Sequence, residues 1–323
     1  MSDLFPIVSL RAFETASRAD RALMAAEVDR ICCETGFLAV TDHGVPRPII
    51  DGAWAAARAF FDQTADVKQR ARAPYPGYPY GYLGPNSEAL AASRGVATPP
   101  DLKESFNGGP LSRPPGLTDK DALSFCYADT IWPTAPANFR NSWQNYYRSM
   151  EDLAARIMVL FAAALKLPDD YFVRFIDHPI SALRALNYPE LEVAPKPGQL
   201  RAGAHSDYGS LTILLPQAGS KGLQIERPGS IWMDVPPVPG AFIINIGDLM
   251  ARWTNDRWVS TVHRVANPAS AEEARARRQS FAFFHQPNWF AQIVSLIPGE
   301  PPKYQPVLSG PYLMGKFKST VKA

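Results

Sequence analysis

After about residue 180 the chain is divided into short β-rich segments that are separated by glycine and proline. Seven segments of this kind follow one another: Leu183–Tyr188, Tyr208–Leu215, Gly222–Glu226, Ile231–Val235, Ala241–Ile246, Trp258–Val265 and Ser280–His285. Several strands of this length at this spacing predict a β-sandwich or a β-barrel. The C-terminal half is therefore expected to be a β-structured core.

The N-terminal half has a different pattern, in which apolar residues recur at helical spacing. The longest such pattern runs from Phe139 to Lys166, where apolar residues return every three or four positions. Residues 73–116 are rich in proline, glycine and tyrosine and are predicted to form a long irregular segment, of the kind that often carries function. Further helices are predicted over Asp20–Thr35 and residues 48–72, and short strands over Phe5–Leu10 and Phe37–Thr41.

The change of pattern near residue 180 separates two parts of one integrated unit. We predict an α+β fold in which a helical part over residues 1–180, with the first strands and a substrate loop, packs on a barrel core over residues 181–323. The chain has 31 prolines in 323 residues, about twice the average proportion of roughly 5%, which fits the many loops of a barrel. The segment from Tyr304 to Ala323 either covers the barrel mouth or forms a solvated tail.

Composition excludes several classes of partner. The formal net charge of +2 gives no broad attraction to nucleic acid or to anionic membranes. The longest apolar run, Ile157–Leu165, has nine residues, whereas a membrane-spanning helix needs about 20. Met1–Pro6 lacks the basic and apolar regions of a signal peptide, and the three cysteines do not have zinc-finger or disulfide-framework spacing. We expect a cytoplasmic protein that acts on a small molecule, with no nucleic-acid or membrane partner.

A candidate metal site lies in Ala204-His205-Ser206-Asp207. On a strand, His205 and Asp207 would project from the same face, and His263, 58 positions after His205 on another predicted strand, offers a third ligand. Two imidazoles and one carboxylate on one face of an ion form the triad of non-haem Fe(II) oxygenases. Three protein ligands leave three positions of an octahedral ion for a bidentate cosubstrate and O2. Each histidine taken alone also fits the role of a hydrogen-bonded core residue.

Arg278 and Ser280 form a second pair at the same spacing, beginning fifteen positions after His263. Ser280 opens the apolar run Phe281–Phe284, which should be buried, and a buried arginine needs an anionic partner. A dicarboxylate cosubstrate would supply that partner, since arginine can bind a carboxylate through two hydrogen bonds. The alternative is a surface arginine at the end of a basic run.

These motifs, in this order, resemble the isopenicillin N synthase-like branch of the Fe(II)/2-oxoglutarate-dependent dioxygenases. The two constellations described above are similar to the iron triad and the Arg-x-Ser cosubstrate motif of that branch. Gly36–Pro46 resembles its N-terminal signature, and Asp101–Phe106 is similar to a segment that follows its variable loop. The resemblance covers nearly the whole chain and implies a double-stranded β-helix, or jelly-roll barrel, with flanking N-terminal helices.

The resemblance also implies the roles of individual residues. Fe(II) would be bound by His205, Asp207 and His263, with 2-oxoglutarate and O2 as cosubstrates. The far carboxylate of 2-oxoglutarate would be held by Arg278 and Ser280.

Tyr188 is a further candidate, because the family often has a tyrosine here that reaches the cosubstrate. The plant-type pattern Asn-x-Tyr-Pro is altered, however, since Leu186 stands at the asparagine position. The alternative for Tyr188 is a core tyrosine on a barrel strand. Tyr80, Tyr82 and Phe106 are candidates for the wall of a substrate cavity or for the core.

The implied reaction is oxidation of a C–H bond of a small organic substrate, most simply a hydroxylation, with release of succinate and CO2. One alternative is an iron-dependent oxidase of the isopenicillin N synthase or aminocyclopropane-carboxylate oxidase type, which has the Arg-x-Ser motif but does not consume 2-oxoglutarate. A non-enzymatic barrel that binds a small acid and a zinc hydrolase are the remaining alternatives. The other three histidines, His43, His178 and His285, are expected to be structural or exposed.

Overall fold

A computed structural model describes residues 5–321. Residues 1–4, which are part of the segment used for the signal-peptide prediction, and residues 322–323 lie outside this range. The strands are β1 Ile7–Ser9, β2 Phe37–Thr41, β3 Gly81–Leu83, β4 Glu104–Gly108, β5 Ala182–Tyr188, β6 Ala202–His205, β7 Leu211–Pro216, β8 Leu223–Arg227, β9 Ile231–Asp234, β10 Phe242–Ile246, β11 His263–Val265, β12 Arg278–His285, β13 Gln292–Ile293 and β14 Val307–Leu308. The α-helices are α1 Leu10–Thr15, α2 Arg18–Glu34, α3 Arg47–Phe61, α4 Ala65–Gln69, α5 Lys120–Ser124, α6 Phe139–Ala164, α7 Asp248–Trp253, α8 Ala271–Ala274 and α9 Ser309–Val321.

Two facing sheets form the barrel. The larger sheet has the strand order β1-β2-β10-β7-β12-β5-β4-β3, and the smaller has the order β6-β11-β8-β9. From β5 to β12 the chain passes repeatedly from one sheet to the other, which is the winding of a double-stranded β-helix. The predicted α+β jelly roll with flanking N-terminal helices is therefore confirmed.

The N-terminal part contributes strands to both edges of the larger sheet. On one side β2 pairs with β10 and carries β1 at the edge, and on the other side β4 pairs with β5 and carries β3. The two parts of the chain thus share one continuous sheet. A division at residue 180 stays a prediction.

The prediction of an irregular segment over residues 73–116 was wrong in one respect, because it contains β3 and β4. The sequence of β4, Glu-Ser-Phe-Asn-Gly, has little strand character, yet all five residues are buried. Glu104 accepts hydrogen bonds from Lys68, Tyr82 and Asn187, so its carboxylate is satisfied inside the fold. Pairing with β5 determines the conformation here, as tertiary contacts often do in strands.

Two further differences concern the barrel strands. The strand predicted over Trp258–Val265 is restricted to its last three residues, because Trp258 turns into the core and donates its indole N–H to Asp29 on α2, at 2.9 Å. The strand β6 was not among the seven predicted segments, and only its last residue, His205, was considered on a strand. Its sequence, Ala-Gly-Ala-His, lacks the branched and aromatic residues on which strand prediction depends.

A cluster of aromatic rings joins the helices to the larger sheet. Phe106 on β4 is fully buried, and its ring centroid lies 4.9 Å from that of Phe139 and 5.0 Å from that of Trp143, both on α6. Phe60 on α3 contacts the same ring, with a centroid distance of 5.6 Å. The cluster therefore ties two helices to the strand that runs beside the cavity described below.

Removing the central ring should destabilise the fold. We expect Phe106→Ala to lower the free energy of unfolding by about 3–5 kcal/mol, the usual cost of deleting a buried aromatic ring. Val193→Ala, at a residue that is 80% exposed, is the matched control and should change the same free energy by less than about 0.5 kcal/mol. Urea denaturation followed by circular dichroism measures both values, and similar losses in the two variants would contradict this account of the core.

Candidate metal centre and active site

The three candidate metal ligands come together at one end of the barrel. His205 is the last residue of β6 and His263 the first of β11, and the two are directly paired across the smaller sheet. Asp207 lies in the turn between β6 and β7, where its carbonyl accepts a hydrogen bond from the Asp248 backbone N–H at 2.7 Å. The expectation that one strand carries both His205 and Asp207 was wrong, but the turn brings them to the same place.

The inward-facing atoms of these residues form a compact triangle. The distance from Nε2 to Asp207 Oδ1 is 3.8 Å for His205 and 3.8 Å for His263. One ligand atom from each residue can be chosen so that all three lie within 4.8 Å of one another. The three groups are therefore close enough to share one metal ion.

Backbone carbonyls orient both imidazole rings. Nδ1 of His205 lies 2.8 Å from the Gly203 carbonyl oxygen, and Nδ1 of His263 lies 3.1 Å from that of Thr261. A carbonyl oxygen can only accept, so Nδ1 must carry the hydrogen in each ring. The lone pair is then on Nε2, which faces Asp207, as a metal ligand requires.

The larger sheet holds the Asp207 carboxylate. Its Oδ2 accepts hydrogen bonds from Thr212 Oγ1 on β7 at 2.5 Å and from Asn245 Nδ2 on β10 at 2.8 Å. Oδ1 remains directed towards the two imidazoles. Sequence reasoning missed both partners, although Asn245 gave a signal as the one polar residue in the buried strand Phe-Ile-Ile-Asn-Ile.

The electrostatics of the cluster favour the protonation states of a metal site. Burial, together with the nearby His263 imidazole, lowers the pKa of His205 to about 3, against the opposing effect of Asp207. For Asp207, burial alone would raise the pKa, but the two imidazoles and the hydrogen bonds from Asn245 and Thr212 lower it. A neutral imidazole beside a charged carboxylate is the form in which these side chains bind a divalent ion.

Arg278 lies at the other end of the same cavity and has no ionic partner among residues 5–321. Its side chain is buried, its Nε donates to Ser220 Oγ at 3.3 Å, and its Nη1 has no hydrogen-bond partner. A buried guanidinium that is left unpaired is costly. The group therefore fits the carboxylate of a bound acid.

The two other predicted cosubstrate contacts lie beside Arg278. Tyr188 on β5 is directly opposite Arg278 on β12, and its ring centroid is 4.8 Å from the guanidinium carbon. Ser280 follows two positions along β12, on the same inward face. Both line the cavity, so Tyr188 is a cavity residue as well as a buried strand residue. Leu186 also lines the cavity, at the position where the plant-type pattern has asparagine.

One cavity of about 230 Å³ contains the triad and Arg278. This volume is just below the roughly 300–1,000 Å³ typical of small-molecule sites. Of the aromatic residues considered for its wall, Tyr80 lines it, whereas Tyr82 and Phe106 belong to the hydrophobic core.

Helix α9 lies over this cavity. Its residues Leu313 and Phe317 are part of the cavity wall, and Lys316 Nζ lies 2.9 Å from Asp248 Oδ2 on α7. Within its described part, the C-terminal segment therefore covers the barrel mouth rather than forming a solvated tail.

The remaining histidines have structural positions. His43 Nδ1 accepts a hydrogen bond from the Val45 N–H at 3.1 Å, and its ring packs on Phe242. His178 is exposed, and the buried His285 places Nδ1 2.7 Å from Ser210 Oγ.

The donor set fits a non-haem iron centre with an acidic cosubstrate. Two imidazoles and one carboxylate leave open positions on an octahedral ion, the arrangement used by Fe(II) oxygenases. The unpaired, buried Nη1 of Arg278 in the same cavity fits the distal carboxylate of 2-oxoglutarate.

Comparison with known proteins agrees with this chemistry. The model of the 2OG-Fe(II) oxygenase superfamily matches residues 180–287, and that of the non-haem dioxygenase in morphine synthesis N-terminal matches residues 5–135. Validamycin A dioxygenase of Streptomyces hygroscopicus subsp. limoneus is 30% identical over 299 residues, which cover 92% of this chain and 80% of that protein. A 2-oxoglutarate-dependent dioxygenase of Didymella fabae is 34% identical, over 81% of this chain and 78% of that protein.

A solved structure extends the similarity to the whole fold. A full-length Neurospora crassa protein, crystallised in complex with alpha-KG and thymine, superposes with a TM-score of 0.84 at 28% identity, over 98% of this chain and 97% of that chain. The chain therefore belongs to the 2OG-Fe(II) oxygenase superfamily. It is an oxidoreductase that uses Fe(II), 2-oxoglutarate and O2. Of the alternatives left open by the sequence, the 2-oxoglutarate-dependent enzyme is thus the one supported.

None of the helices in residues 5–321 is both long and apolar enough to cross a membrane.

The buried His285 predicts a loss of stability in mild acid. Burial lowers its pKa to about 4 in the folded chain, whereas an unfolded histidine titrates near pH 6.5. Between these values the unfolded chain binds more protons, so the stability is present above pH 6.5 and is lost as the pH falls towards 4. Through this group, a change from pH 7 to pH 5 should lower the free energy of unfolding by about 2 kcal/mol.

His285→Gln should remove this part of the pH dependence, because glutamine does not titrate. Urea denaturation at pH 7 and pH 5 measures the difference for both chains. If the free energy of unfolding falls by the same amount in the variant and in the wild type, His285 is not the group responsible.

Proposed function

We propose that this chain hydroxylates a C–H bond of a small organic molecule, with release of succinate and CO2. In this proposal His205, Asp207 and His263 bind Fe(II), while Arg278, Ser280 and Tyr188 bind 2-oxoglutarate. The observation that carries it is the presence of a His-Asp-His cluster and a buried, unpaired guanidinium in the same cavity.

The protein's own contribution is positioning. Fe(II) and 2-oxoglutarate, when bound, supply together with O2 the oxidising chemistry that attacks carbon. His205 and His263 direct Nε2 inward because their Nδ1–H groups are held by backbone carbonyls. The salt-bridge geometry of Arg278 with a carboxylate would fix the far end of the cosubstrate. Helix α9 and the apolar walls exclude water and hold the substrate near the metal.

A small neutral or weakly charged metabolite is the class of partner that we propose. The thymine bound to the Neurospora crassa protein supports a substrate of this size, and the cavity volume does as well. The near-neutral charge of the chain supports the absence of a nucleic-acid partner.

All three cysteines are free thiols, which supports the proposal of a reducing, cytoplasmic location. We also propose the division into a helical part (1–180) and a catalytic core (181–323).

Ferrous-iron binding tests the metal site directly. We expect His205→Ala to weaken Fe(II) binding by at least 100-fold, because one of three protein ligands is removed, as measured by calorimetry under anaerobic conditions. His178→Ala, at an exposed histidine outside the cavity, is the matched control and should bind Fe(II) like the wild type. Equal iron affinity in the wild type and in His205→Ala would rule out the proposed triad.

The cosubstrate site is tested by a second pair of variants. Arg278→Met should weaken 2-oxoglutarate binding about 10–100-fold, since hydrogen bonds to charged groups contribute roughly 1.5–3 kcal/mol. Arg275→Met removes an exposed arginine from the same stretch and should have no effect. Anaerobic titration of the Fe(II)-loaded chain measures the affinity.

Turnover completes this test. Succinate should form only when Fe(II), 2-oxoglutarate and O2 are all present, and its formation should be reduced in Arg278→Met. An Fe(II)-dependent oxidation that yields no succinate with any substrate would overturn the proposal.

A further inference from the structure

Two buried amide side chains face the part of the cavity that lies away from Arg278. Asn107 on β4 and Gln286, directly after β12, both line the cavity and are each less than 5% exposed. The side-chain oxygens Asn107 Oδ1 and Gln286 Oε1 have no hydrogen-bond partner within residues 5–321. Buried polar atoms are nearly always paired in folded proteins. Two of them in one cavity wall therefore point to a polar ligand.

The ionised groups on this wall, Arg184 and Glu88, and the ion pair behind them already neutralise one another. Arg184, which lies opposite Asn107 in the sheet, donates to Glu88 at 3.1 Å, and Lys103 lies 3.5 Å from the same carboxylate. Lys103 is also paired with Asp101, so two cations meet two carboxylates. Burial alone would raise the pKa of Glu88, but Arg184 and Lys103 lower it to about 2. The Glu88 carboxylate is thus held ionised, and the formal charges of the two ion-paired cations and the two carboxylates sum to zero.

Much of the rest of this wall is apolar. Phe125, Ile180, Leu313 and Phe317 line the cavity together with Tyr80, whose hydroxyl donates to the Cys126 carbonyl. In the part of the chain that the structure describes, the uncompensated cation of this cavity is Arg278, and the cosubstrate accounts for it in the proposed function. A second carboxylate would be buried here without a counter-charge, which is costly.

We propose that the substrate is a neutral molecule with an amide-type group, such as a primary amide, a lactam or a cyclic imide, that pairs with Asn107 and Gln286. An amide group carries an N–H donor next to a C=O acceptor, which complements the donor and acceptor of an amide side chain. Rotation of either side-chain amide by 180° exchanges its oxygen and nitrogen, so the complementarity does not depend on how they are oriented. A carboxylate can only accept hydrogen bonds, so it would leave the side-chain oxygens of Asn107 and Gln286 without a donor. The inference rests on the proposed function and specifies its substrate class.

Matched pairs of small molecules test the inference on the intact chain loaded with Fe(II) and 2-oxoglutarate under anaerobic conditions. Indole-3-acetamide is paired with indole-3-acetate, phenylacetamide with phenylacetate, and thymine with 1,3-dimethylthymine. The first member of each pair is neutral and has amide N–H groups, whereas the second is anionic or has lost its N–H groups. Calorimetry measures the dissociation constant of each probe. We expect at least one of the neutral first members to bind. Each first member that binds should have a dissociation constant at least ten-fold lower than that of its partner.

Variants connect the affinity to the two side chains. Asn107→Leu and Gln286→Met replace the side-chain amide by an apolar group of similar volume. Each variant should bind the amide probes about ten-fold more weakly. Asn141→Leu, at an exposed asparagine on α6, is the control and should bind the amides like the wild type. The melting temperature and the 2-oxoglutarate affinity of every variant show whether the site is folded.

The outcomes separate this inference from the proposed function. Tighter binding of the acids, equal binding within the pairs, or amide binding that is unchanged in both folded variants would overturn the substrate class. A chain that binds 2-oxoglutarate but none of the neutral amides would also overturn it, and would leave the proposed function intact. A chain that binds no 2-oxoglutarate would overturn the proposed function itself.

Discussion

The Asp207 carboxylate is buried where the two sheets of the barrel meet, and its charge connects them. A carboxylate in this position is stable only if its oxygens are hydrogen-bonded or paired. Thr212 and Asn245 of the larger sheet hold one oxygen, and His205 and His263 of the smaller sheet face the other. The candidate metal centre thus also connects the two sheets of the barrel. The backbone carbonyls that orient the imidazoles belong to β6 of the smaller sheet and to the residues just before β11. The orientation of the two imidazole rings therefore depends on strand pairing.

Charge is distributed unevenly along the cavity, so that its two ends differ in the sign of the charge they present. At one end Arg278 has a buried cation with no ionic partner among the described residues, and at the other end Asp207 presents a carboxylate to two imidazoles. A dicarboxylate with a ketone next to one carboxyl group can bind the metal at one end and the arginine at the other. In the proposed function, the length and the charge of the cosubstrate are therefore specified by three strands, β6, β11 and β12, and by the turn before β7.

The fold class was predicted correctly from the sequence, and six candidate site residues could be named from it, five through local motifs and Tyr188 through the resemblance to a family. Alternating strands, a His-x-Asp motif and an Arg-x-Ser motif are visible without knowledge of the tertiary contacts. Residues whose roles arise only from strand pairing were not found. Thr212 and Asn245 are ordinary polar residues until the larger sheet brings them to Asp207, and Glu104 or Asn107 looks like loop composition until β4 pairs with β5. Helical spacing identified α6, but the absence of branched residues concealed β6.

The parts of the cavity differ in the kind of element that supplies them. The candidate ligands of the metal and of 2-oxoglutarate lie on strands β5, β6, β11 and β12 and on one turn, where hydrogen-bonded pairing restricts any movement. The opposite wall comes from β4, from the segments around Tyr80 and Phe125, and from α9. Substitutions in those segments and in α9, unlike substitutions in β4, can change the shape and polarity of the wall without disturbing the strand pairing of the barrel. Because its ion pairs sum to zero and its unpaired side-chain oxygens belong to amides, we infer that this wall discriminates by hydrogen bonding and shape rather than by charge. In that inference it rejects an ionised competitor of the same size, since that charge would be buried without a partner.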